Sequence, residues 1–214
     1  PVTEITSEYG GFEKVSPYIT VVSNIKVADK PIGTLGAGEA YWHTDSSFNE
    51  RPIRVNMLYC YETPATGGET AFVNMYRAYE TLPADLKAAI QGRQINHCSA
   101  YTSGGALKKG FQPVTDVTKA PGARHPIVRR HPDTGRSALY LGRRPFSWIV
   151  GMETAASERL LDALWAHATD WSTAWEHKWR PGDLVMWDNA AAMHRRAPFD
   201  DGGRRLMHGA RTQG

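Results

Sequence analysis

Two histidines and one aspartate are the residues of this chain whose types and spacing best suit the binding of a metal ion. His43 and Asp45 are two residues apart in the sequence His-Thr-Asp, and His194 lies far downstream. Side chains two apart on a strand leave the same face, so His43 and Asp45 can bind one ion together. A histidine from another strand would complete a site of two imidazoles and one carboxylate. Such a site leaves coordination positions open for dioxygen and a co-substrate, so the pattern indicates an iron(II)-dependent oxygenase.

A second His-x-Asp sequence lies in the segment 131–135, His-Pro-Asp-Thr-Gly. Its proline, aspartate and glycine are typical of a hairpin turn, so we expect a solvent-facing turn here rather than a metal site. By spacing alone, His43 could equally be a half-buried strand histidine that is hydrogen-bonded to a nearby carboxylate. The remaining histidines occupy positions that predict structural or exposed roles: His97, His125, His167, His177 and His208.

The composition predicts one globular domain, residues 1–214. It includes 41% hydrophobic and 22% charged residues, with a formal net charge of +3. The lysines and arginines are scattered in short pairs without a basic stripe, so no nucleic-acid partner is expected. No apolar run has membrane-spanning length, so no membrane partner is expected either. Cys60 and Cys98 form no CxxC pair and indicate a reducing compartment or inert buried thiols, with a cytoplasmic location as the default.

Many short strands and few helices predict a mainly β fold rather than a doubly wound sheet. Strand patterns are found at 18–23, 53–61, 69–73, 126–130, 137–142, 173–179, 183–188 and 204–212. Helical patterns are found at 74–92, interrupted near Pro83, and at 154–170. A glycine-rich loop, 32–39, leads toward His43, and the irregular stretch 99–123 is a candidate active-site lid.

Four segments of the chain, taken together, form a recognisable sequence pattern. They are 42–48 (WHTDSSF), 64–70 (PATGGET), 131–140 (HPDTGRSALY) and 182–189 (GDLVMWDN), followed by His194 and the pair Arg204-Arg205. Taken together they resemble the taurine dioxygenase and 2,4-dichlorophenoxyacetate dioxygenase family of iron(II)- and 2-oxoglutarate-dependent oxygenases. The segments run in the family's order over nearly the whole chain. The resemblance implies a mainly β fold with helices and a double-stranded β-helix core, the jelly roll of cupin-like proteins.

The resemblance assigns the main site residues. His43, Asp45 and His194 would bind Fe(II). Arg205 would form a salt bridge with the distal carboxylate of 2-oxoglutarate, and a planar guanidinium suits this role because it binds a carboxylate through two parallel hydrogen bonds. Strand alternation makes the neighbouring Arg204 the better candidate for a surface arginine.

The resemblance also implies supporting residues and a reaction. Thr70 matches the family threonine whose hydroxyl contacts the co-substrate, although by itself it would be read as a turn threonine after two glycines. The segment 187–189 would shape the strand that presents His194. The implied reaction uses 2-oxoglutarate and O2 to hydroxylate a C–H bond of a small-molecule substrate, with release of succinate and CO2. An aspartate at position 45 leaves no vacant site for a halide, which favours hydroxylation over halogenation. Family members are often dimers or tetramers, which allows a homo-oligomer.

The resemblance indicates the substrate less well than the reaction. In the taurine enzyme an arginine four residues after the co-substrate arginine binds the sulfonate, and this chain has Gly209 there. The expected substrate is a small anion such as an aryloxyalkanoate, a sulfonate, a sulfate ester or an amino-acid derivative. Other candidate anion-binding residues are Lys108, Arg143, Arg144 and Arg211, although a solvated position is the better expectation for each. Candidate aromatic contacts, most of which fit the core as well, are Tyr41, Trp42, Phe48, Phe111, Phe146 and Trp148.

The sequence leaves other interpretations open. The chain begins closer to His43 than family members usually do, so an N-terminal segment and the extreme C-terminus are expected to be missing. A non-catalytic jelly-roll protein that binds a metal or a small molecule is the main alternative, but Arg205 and Thr70 argue against it because a pure metal binder needs no co-substrate anchor. A zinc hydrolase with the same ligands is disfavoured because no general base is evident beside His194.

Overall fold

The structure, a computed structural model, describes residues 18–35, 41–200 and 202–213. The strands of this part, numbered β1 to β15 in chain order, are Thr20–Ser23, Lys26–Val27, Lys30–Pro31, Thr34–Leu35, Ile53–Glu62, Thr70–Asn74, Gln94–Cys98, Gly122–Pro126, Val128–Arg130, Ser137–Leu139, Trp148–Ile149, Trp175–His177, Leu184–Asp188, Ala192–Arg196 and Leu206–Gln213. Its α-helices, α1 to α3, are Met75–Glu80, Ala84–Ile90 and Thr154–Ala168, and short 3-10 helices span Val117–Lys119 and Trp171–Thr173. The described chain is therefore mainly β, as the sequence predicts.

The larger sheet has five strands in the order β13-β5-β15-β1-β4. Its strands β5 and β15 pair in an antiparallel register in which Gly209 lies opposite Leu58 and Arg211 opposite Asn56. Because side chains alternate between the two faces of a strand, positions 209 and 211 share a face. Leu58 on that face packs against a buried cluster that includes Met207. This face forms one wall of a cavity.

A smaller sheet, with three antiparallel strands in the order β12-β6-β14, forms the opposite wall. In the register of β6 and β14, Met193 lies opposite Val73 and His194 opposite Phe72. Val73 and Met193 are both buried in the main hydrophobic core. Their neighbours along the strands therefore face the other way, and His194 and Thr70 line the cavity. The strand pair β6–β14 thus separates the core from the cavity.

The two sheets face each other across this cavity. Residues of β1, β5, β13 and β15 line one side and residues of β6 and β14 line the other. Neighbouring strands within each sheet are mostly distant along the chain, as in a jelly roll, where strands alternate between two packed sheets. The predicted jelly-roll core is confirmed.

The main hydrophobic core lies behind the smaller sheet, where α1 and α3 pack. Helix α3 begins after Glu153, whose carboxylate accepts hydrogen bonds from the backbone N–H groups of Ala155 and Ala156. This cap satisfies two donors of the first helical turn and places a negative charge at the positive end of the helix. Leu161 and Leu164 lie on one helical face and are fully buried. The helix therefore supports the sheet that carries His194.

Most predicted elements are found, with shorter ends. The predicted helix 154–170 is confirmed as α3, and the predicted region 74–92 is divided into α1 and α2 around Pro83. The hydrophobic pattern gave no bounds for β7 or for β14, the strand that presents His194. They carry polar side chains, among them His97 and His194, that are buried in the folded chain. Their alternation is therefore hidden from a pattern based on hydrophobicity.

The irregular stretch 99–123 packs against the protein near its two ends. Tyr101 is buried and stacks on Phe146 with ring centroids 3.9 Å apart, and Ala120 belongs to the same small cluster. The middle of the stretch, 104–113, is mostly exposed. Its role as a lid stays a prediction. Of the glycine-rich loop 32–39, the part after residue 35 lies outside the described residues.

Both cysteines are buried free thiols. Cys60 and Cys98 belong to separate clusters. Burial raises the pKa of each thiol, which keeps both protonated and unreactive. Among the described helices, none combines the length and the apolar character needed to cross a membrane.

The core behind the smaller sheet yields a stability prediction. Leu161→Ala removes a fully buried side chain and should lower the free energy of unfolding by about 2–5 kcal/mol. Leu184→Ala is the matched control, because this leucine is 58% exposed and its truncation should cost less than about 1 kcal/mol. Urea denaturation of the two variants measures the difference. Equal losses would contradict the assignment of α3 to the core.

Candidate metal centre

A pair of backbone hydrogen bonds joins His43 to His194. The N–H of His43 donates to the carbonyl oxygen of His194, and the N–H of His194 donates to the carbonyl oxygen of His43, both at 2.9 Å. The two residues thus form an isolated antiparallel β-bridge. Directly opposite residues of antiparallel strands project their side chains on the same side. The two imidazole rings accordingly lie together, with centroids 4.3 Å apart.

Asp45 completes a cluster of three. Its Oδ1 lies 3.4 Å from Nε2 of His43, and its Oδ2 lies 3.8 Å from Nε2 of His194. Two atoms that each bond one metal ion at about 2.1 Å lie within about 4 Å of each other, and both distances satisfy this limit. The candidate ligand atoms of the three residues all lie within 4.8 Å of one another. The structure therefore brings the predicted ligand set together at one point of the cavity.

The protonation states of the cluster also suit a metal ion. Nδ1 of His43 donates to the carbonyl oxygen of Tyr41 at 2.7 Å, so Nε2 keeps its lone pair toward Asp45. Burial acts to raise the pKa of Asp45, but its contact with the ring of His43 and the positive charge nearby outweigh burial and hold this pKa well below its usual value. Metals bind neutral imidazole and ionised carboxylate. Two nitrogens and one oxygen with an open side toward the cavity fit Fe(II).

Asn189 holds the loop that carries Asp45. Its Oδ1 accepts hydrogen bonds from the backbone N–H of Asp45 at 3.1 Å and from Nδ2 of Asn56 at 3.0 Å. Its Nδ2 donates to the carbonyl oxygens of Asp45 at 2.9 Å and Ile53 at 3.0 Å. The side chain is buried and makes all four of the hydrogen bonds open to an amide. The expectation that 187–189 shapes the strand near His194 thus extends to the aspartate ligand.

The predicted hairpin turn at 131–135 joins β9 and β10, and its residues 132–135 are exposed, but His131 itself is not solvent-facing. His131 is buried, and its Nε2 lies 2.7 Å from Oδ2 of Asp188. Its Nδ1 accepts from the backbone N–H groups of Asp133 and Thr134, so one imidazole satisfies the turn and Asp188 together. The other carboxylate oxygen of Asp188 accepts from the N–H of Ala190. This histidine therefore supports the turn between β13 and β14, and no second metal cluster is found among the described residues.

The far end of the cavity is positively charged and buried. Arg205 and Thr70 are each 3% exposed, and Arg196 lies opposite Thr70 across β6 and β14. Desolvation and the nearby Arg196 lower the pKa of Arg205 to about 10. Within the described ranges, no carboxylate pairs with either guanidinium, and Nε of Arg205 has no hydrogen-bond partner. Trp179 donates to Oγ1 of Thr70 at 2.9 Å, which leaves the hydroxyl proton available to a ligand.

The residues near Arg205 in the sequence point to different sides of the sheet, as strand alternation predicts. Arg204 is exposed and forms a two-pronged ion pair with Glu62, at 2.7 and 3.1 Å. His208 lies away from the cavity, with its ring 4.5 Å from that of Tyr61. Arg205 is therefore the arginine of this pair that enters the site.

The candidate anion-binding residues occupy different places. Arg211 lines the cavity. Arg144 forms ion pairs with Glu158 and Asp162 away from it. The charged groups of Lys108 and Arg143 lie over the ring of Phe48, at 3.8 and 5.0 Å from its centre. Of the candidate aromatic contacts, the structure buries Phe48 and Trp148 and leaves Tyr41 and Phe111 exposed.

Arg196 is a cavity residue that the sequence analysis did not single out. It lies two residues after His194 on β14, and strand alternation places both on one face. Counting in steps of two from the metal ligand would have found it. Its place in a pair of arginines instead resembled ordinary surface charge. The neighbouring Arg195 points the other way, over the ring of Trp171.

Comparison with known proteins places similar sequences in one family. The family described as "Taurine catabolism dioxygenase TauD, TfdA family" matches residues 4–211. Pentalenolactone F synthase of Streptomyces arenae is 33% identical over 97% of this chain and 72% of its own length. The alpha-ketoglutarate-dependent 2,4-dichlorophenoxyacetate dioxygenase of Cupriavidus pinatubonensis is 36% identical over 80% of this chain and 59% of its own.

A solved structure extends the likeness to the fold. AAD-2, in complex with Mn(II) and N-oxalylglycine, is 35% identical and superposes with a TM-score of 0.72, covering 83% of this chain and 70% of the other. The chain thus spans 59–72% of the length of the two curated relatives.

The contacts of Asn189 yield a prediction. Asn189→Ala removes the side chain that fixes Asp45, so Fe(II) affinity should fall by about 10- to 100-fold, as is usual for residues that orient metal ligands. Anaerobic titration with Fe(II) measures the loss. Asn49→Ala is the control, because that asparagine is exposed four residues after Asp45 and its side chain holds no ligand. Equal affinities in the two variants would contradict the positioning role of Asn189.

Proposed function

This chain belongs to the TauD/TfdA dioxygenase family, and we propose that it is an Fe(II)- and 2-oxoglutarate-dependent dioxygenase. It hydroxylates a C–H bond of a small, anionic organic substrate and releases succinate and CO2. The observation that carries this proposal is the convergence of His43, Asp45 and His194 in one cavity with two buried guanidiniums. Three ligands without an anion site would suit many metal proteins, whereas the added guanidiniums indicate a carboxylate co-substrate.

The metal ligands define where the reaction takes place. Fe(II) would be held by Nε2 of His43, Nε2 of His194 and the carboxylate of Asp45. Bound iron would supply the activation of O2, with one oxygen atom passing to the substrate C–H bond and the other to 2-oxoglutarate as it loses CO2 and becomes succinate. The chain's own contribution is to orient the ligands and to leave the cavity side of the ion open.

Three residues at the far end of the cavity would bind the co-substrate. The guanidinium of Arg205 pairs with the distal carboxylate, because it is buried and its Nε has no partner within the described residues. The hydroxyl of Thr70 donates to an oxygen of the same molecule, while its own oxygen accepts from Trp179. Arg196 adds a second positive charge opposite Thr70. Burial strengthens these interactions relative to the same contacts in water.

Aromatic side chains keep water away from the metal centre. The ring of Trp187 lies 4.8 Å from that of His194, and Phe72 packs on both with centroid distances of 5.4 and 6.1 Å. These rings shield one side of the ligand cluster. A site that excludes water protects reactive species from unproductive reactions.

The co-substrate role of Arg205 yields a prediction. Arg205→Ala should weaken 2-oxoglutarate binding by about 10- to 100-fold, which corresponds to the loss of a charge-assisted hydrogen-bonded pair. Anaerobic titration of the Fe(II)-loaded protein with 2-oxoglutarate, followed by the visible absorption of the chelate, measures this affinity. Fe(II) binding itself should be unchanged, since Arg205 is not a ligand.

The adjacent arginine provides the control for this experiment. Arg204→Ala removes a guanidinium that pairs with Glu62 on the surface, so its affinity for 2-oxoglutarate should match that of the unaltered protein. If the two variants bind 2-oxoglutarate equally well, Arg205 is not the anchor. If the unaltered protein binds Fe(II) but shows no chelate with 2-oxoglutarate, the proposed function is wrong.

A further inference from the structure

Arg211 is a cavity residue to which neither the metal nor the co-substrate assigns a role. It is half-buried on β15, lies opposite Asn56, and lines the same cavity as His43 and Asp45. Arg211 and the metal-binding cluster therefore share one cavity.

The guanidinium of Arg211 has no acceptor in the part of the chain that the structure describes. The two carboxylate oxygens of Asp45 lie toward the histidines. A guanidinium carries five N–H donors and stays charged, so placing it in a cavity without an acceptor costs free energy that a ligand can offset.

The charge balance of the cavity indicates an anionic ligand beyond the co-substrate. Its lining carries three guanidiniums, those of Arg196, Arg205 and Arg211, and the single carboxylate of Asp45. A divalent metal ion adds two positive charges, and a dicarboxylate co-substrate removes two. The filled cavity therefore keeps an excess of positive charge, which favours a negatively charged substrate.

Distance separates Arg211 from the co-substrate anchor. Arg205 directly precedes β15, and Arg211 lies six residues further along the same strand. An antiparallel strand rises about 3.4 Å per residue, so about 20 Å of strand lies between their backbones. The two arginines therefore leave the strand at well-separated positions along the cavity wall. An acid group of a second ligand can pair with Arg211 while 2-oxoglutarate pairs with Arg205.

Gly209 provides space between these two arginines. It faces the cavity on the same side as Arg211. A Cβ at this position would lie 3.6 Å from Cδ1 of Leu58 and 3.8 Å from the carbonyl oxygen of Thr20, both ordinary contacts. Neither backbone conformation nor crowding requires glycine here. Its effect is to leave the cavity wall open where the body of a substrate would lie.

We propose that Arg211 binds the acid group of the substrate, whose organic body lies over Gly209 within reach of the metal centre. This inference rests on the proposed function and names the substrate class of the same site. The substrate is a small organic oxyanion, since a guanidinium pairs with carboxylate, sulfonate or sulfate oxygens through parallel hydrogen bonds. Arg211 thereby determines specificity for an acid over its neutral analogue.

Matched pairs of acids and neutral analogues test this inference. The probes are phenoxyacetate with phenoxyacetamide, benzenesulfonate with benzenesulfonamide, and hexyl sulfate with hexanol. Each is added anaerobically to the protein loaded with Fe(II) and 2-oxoglutarate, and binding is read from the change in the visible absorption of the chelate. The three pairs distinguish carboxylate, sulfonate and sulfate ester as the preferred oxyanion.

Substitutions of Arg211 define the expected result. At least one acid should bind about 10-fold or more tightly than its neutral partner. Arg211→Gln should lower the affinity for that acid by about 10- to 100-fold and leave the affinity for the neutral partner unchanged. Arg211→Lys keeps the charge and should recover part of the affinity. Arg124→Gln, an exposed arginine of β8, is the control and should bind every probe as the unaltered protein does.

Three outcomes would overturn the inference: no acid binds, the neutral partners bind as well as the acids, or Arg211→Gln and Arg211→Lys both bind the preferred acid as tightly as the unaltered protein. The 2-oxoglutarate chelate separates this failure from that of the proposed function. If the unaltered protein forms a normal chelate with 2-oxoglutarate and one of these outcomes is found, only the proposed role of Arg211 is disproved. If the unaltered protein forms no chelate, the proposed function itself is disproved.

Discussion

The backbone bridge between His43 and His194 is the constraint on which the rest of the site depends. Two hydrogen bonds of 2.9 Å fix these residues opposite each other, although they are far apart along the chain. A shift of one residue in this pairing would turn one imidazole to the opposite face and destroy the cluster. Asn189 secures the adjoining Asp45, and the pair of His131 with Asp188 secures the turn before His194. The metal centre is therefore determined by buried hydrogen bonds before any ion binds.

The same cavity concentrates positive charge that the protein does not neutralise. Desolvation and the nearby Arg196 lower the pKa of Arg205, and no carboxylate within the described residues pairs with these two guanidiniums. Unpaired buried charges reduce the stability of the folded state. Ligands that carry carboxylates remove this penalty, so the folded protein gains stability when they bind. The arrangement favours binding of anions at the expense of stability without them.

The sequence predicted the parts of the site that depend on local spacing. His43 and Asp45 follow from the period of a strand, and Arg205 is distinguished from Arg204 by the same alternation. His194 was proposed with His43 and Asp45 as a histidine from another strand. The resemblance to a known family added Arg205 and Thr70. These predictions agree with the positions of the side chains in the cavity, and the mainly β fold is confirmed.

Features that depend on tertiary partners were not predictable in this way. The buried position of His131 was not predicted because its partner, Asp188, is distant in the chain, and only the folded structure shows their contact. The hydrophobic pattern gave no bounds for strands β7 and β14 because their polar side chains are buried. Arg196 was missed because its neighbour Arg195 made the pair resemble surface charge. In each case burial of a polar group, rather than local propensity, decides the conformation.

The most direct test of the site is a crystal structure of the protein prepared anaerobically with Fe(II) and 2-oxoglutarate. The account predicts one ion bonded to Nε2 of His43, Nε2 of His194 and the carboxylate of Asp45. It also predicts that the distal carboxylate of 2-oxoglutarate contacts the guanidinium of Arg205. An ion bound elsewhere, or a co-substrate carboxylate pointing away from Arg205 toward solvent, would contradict it.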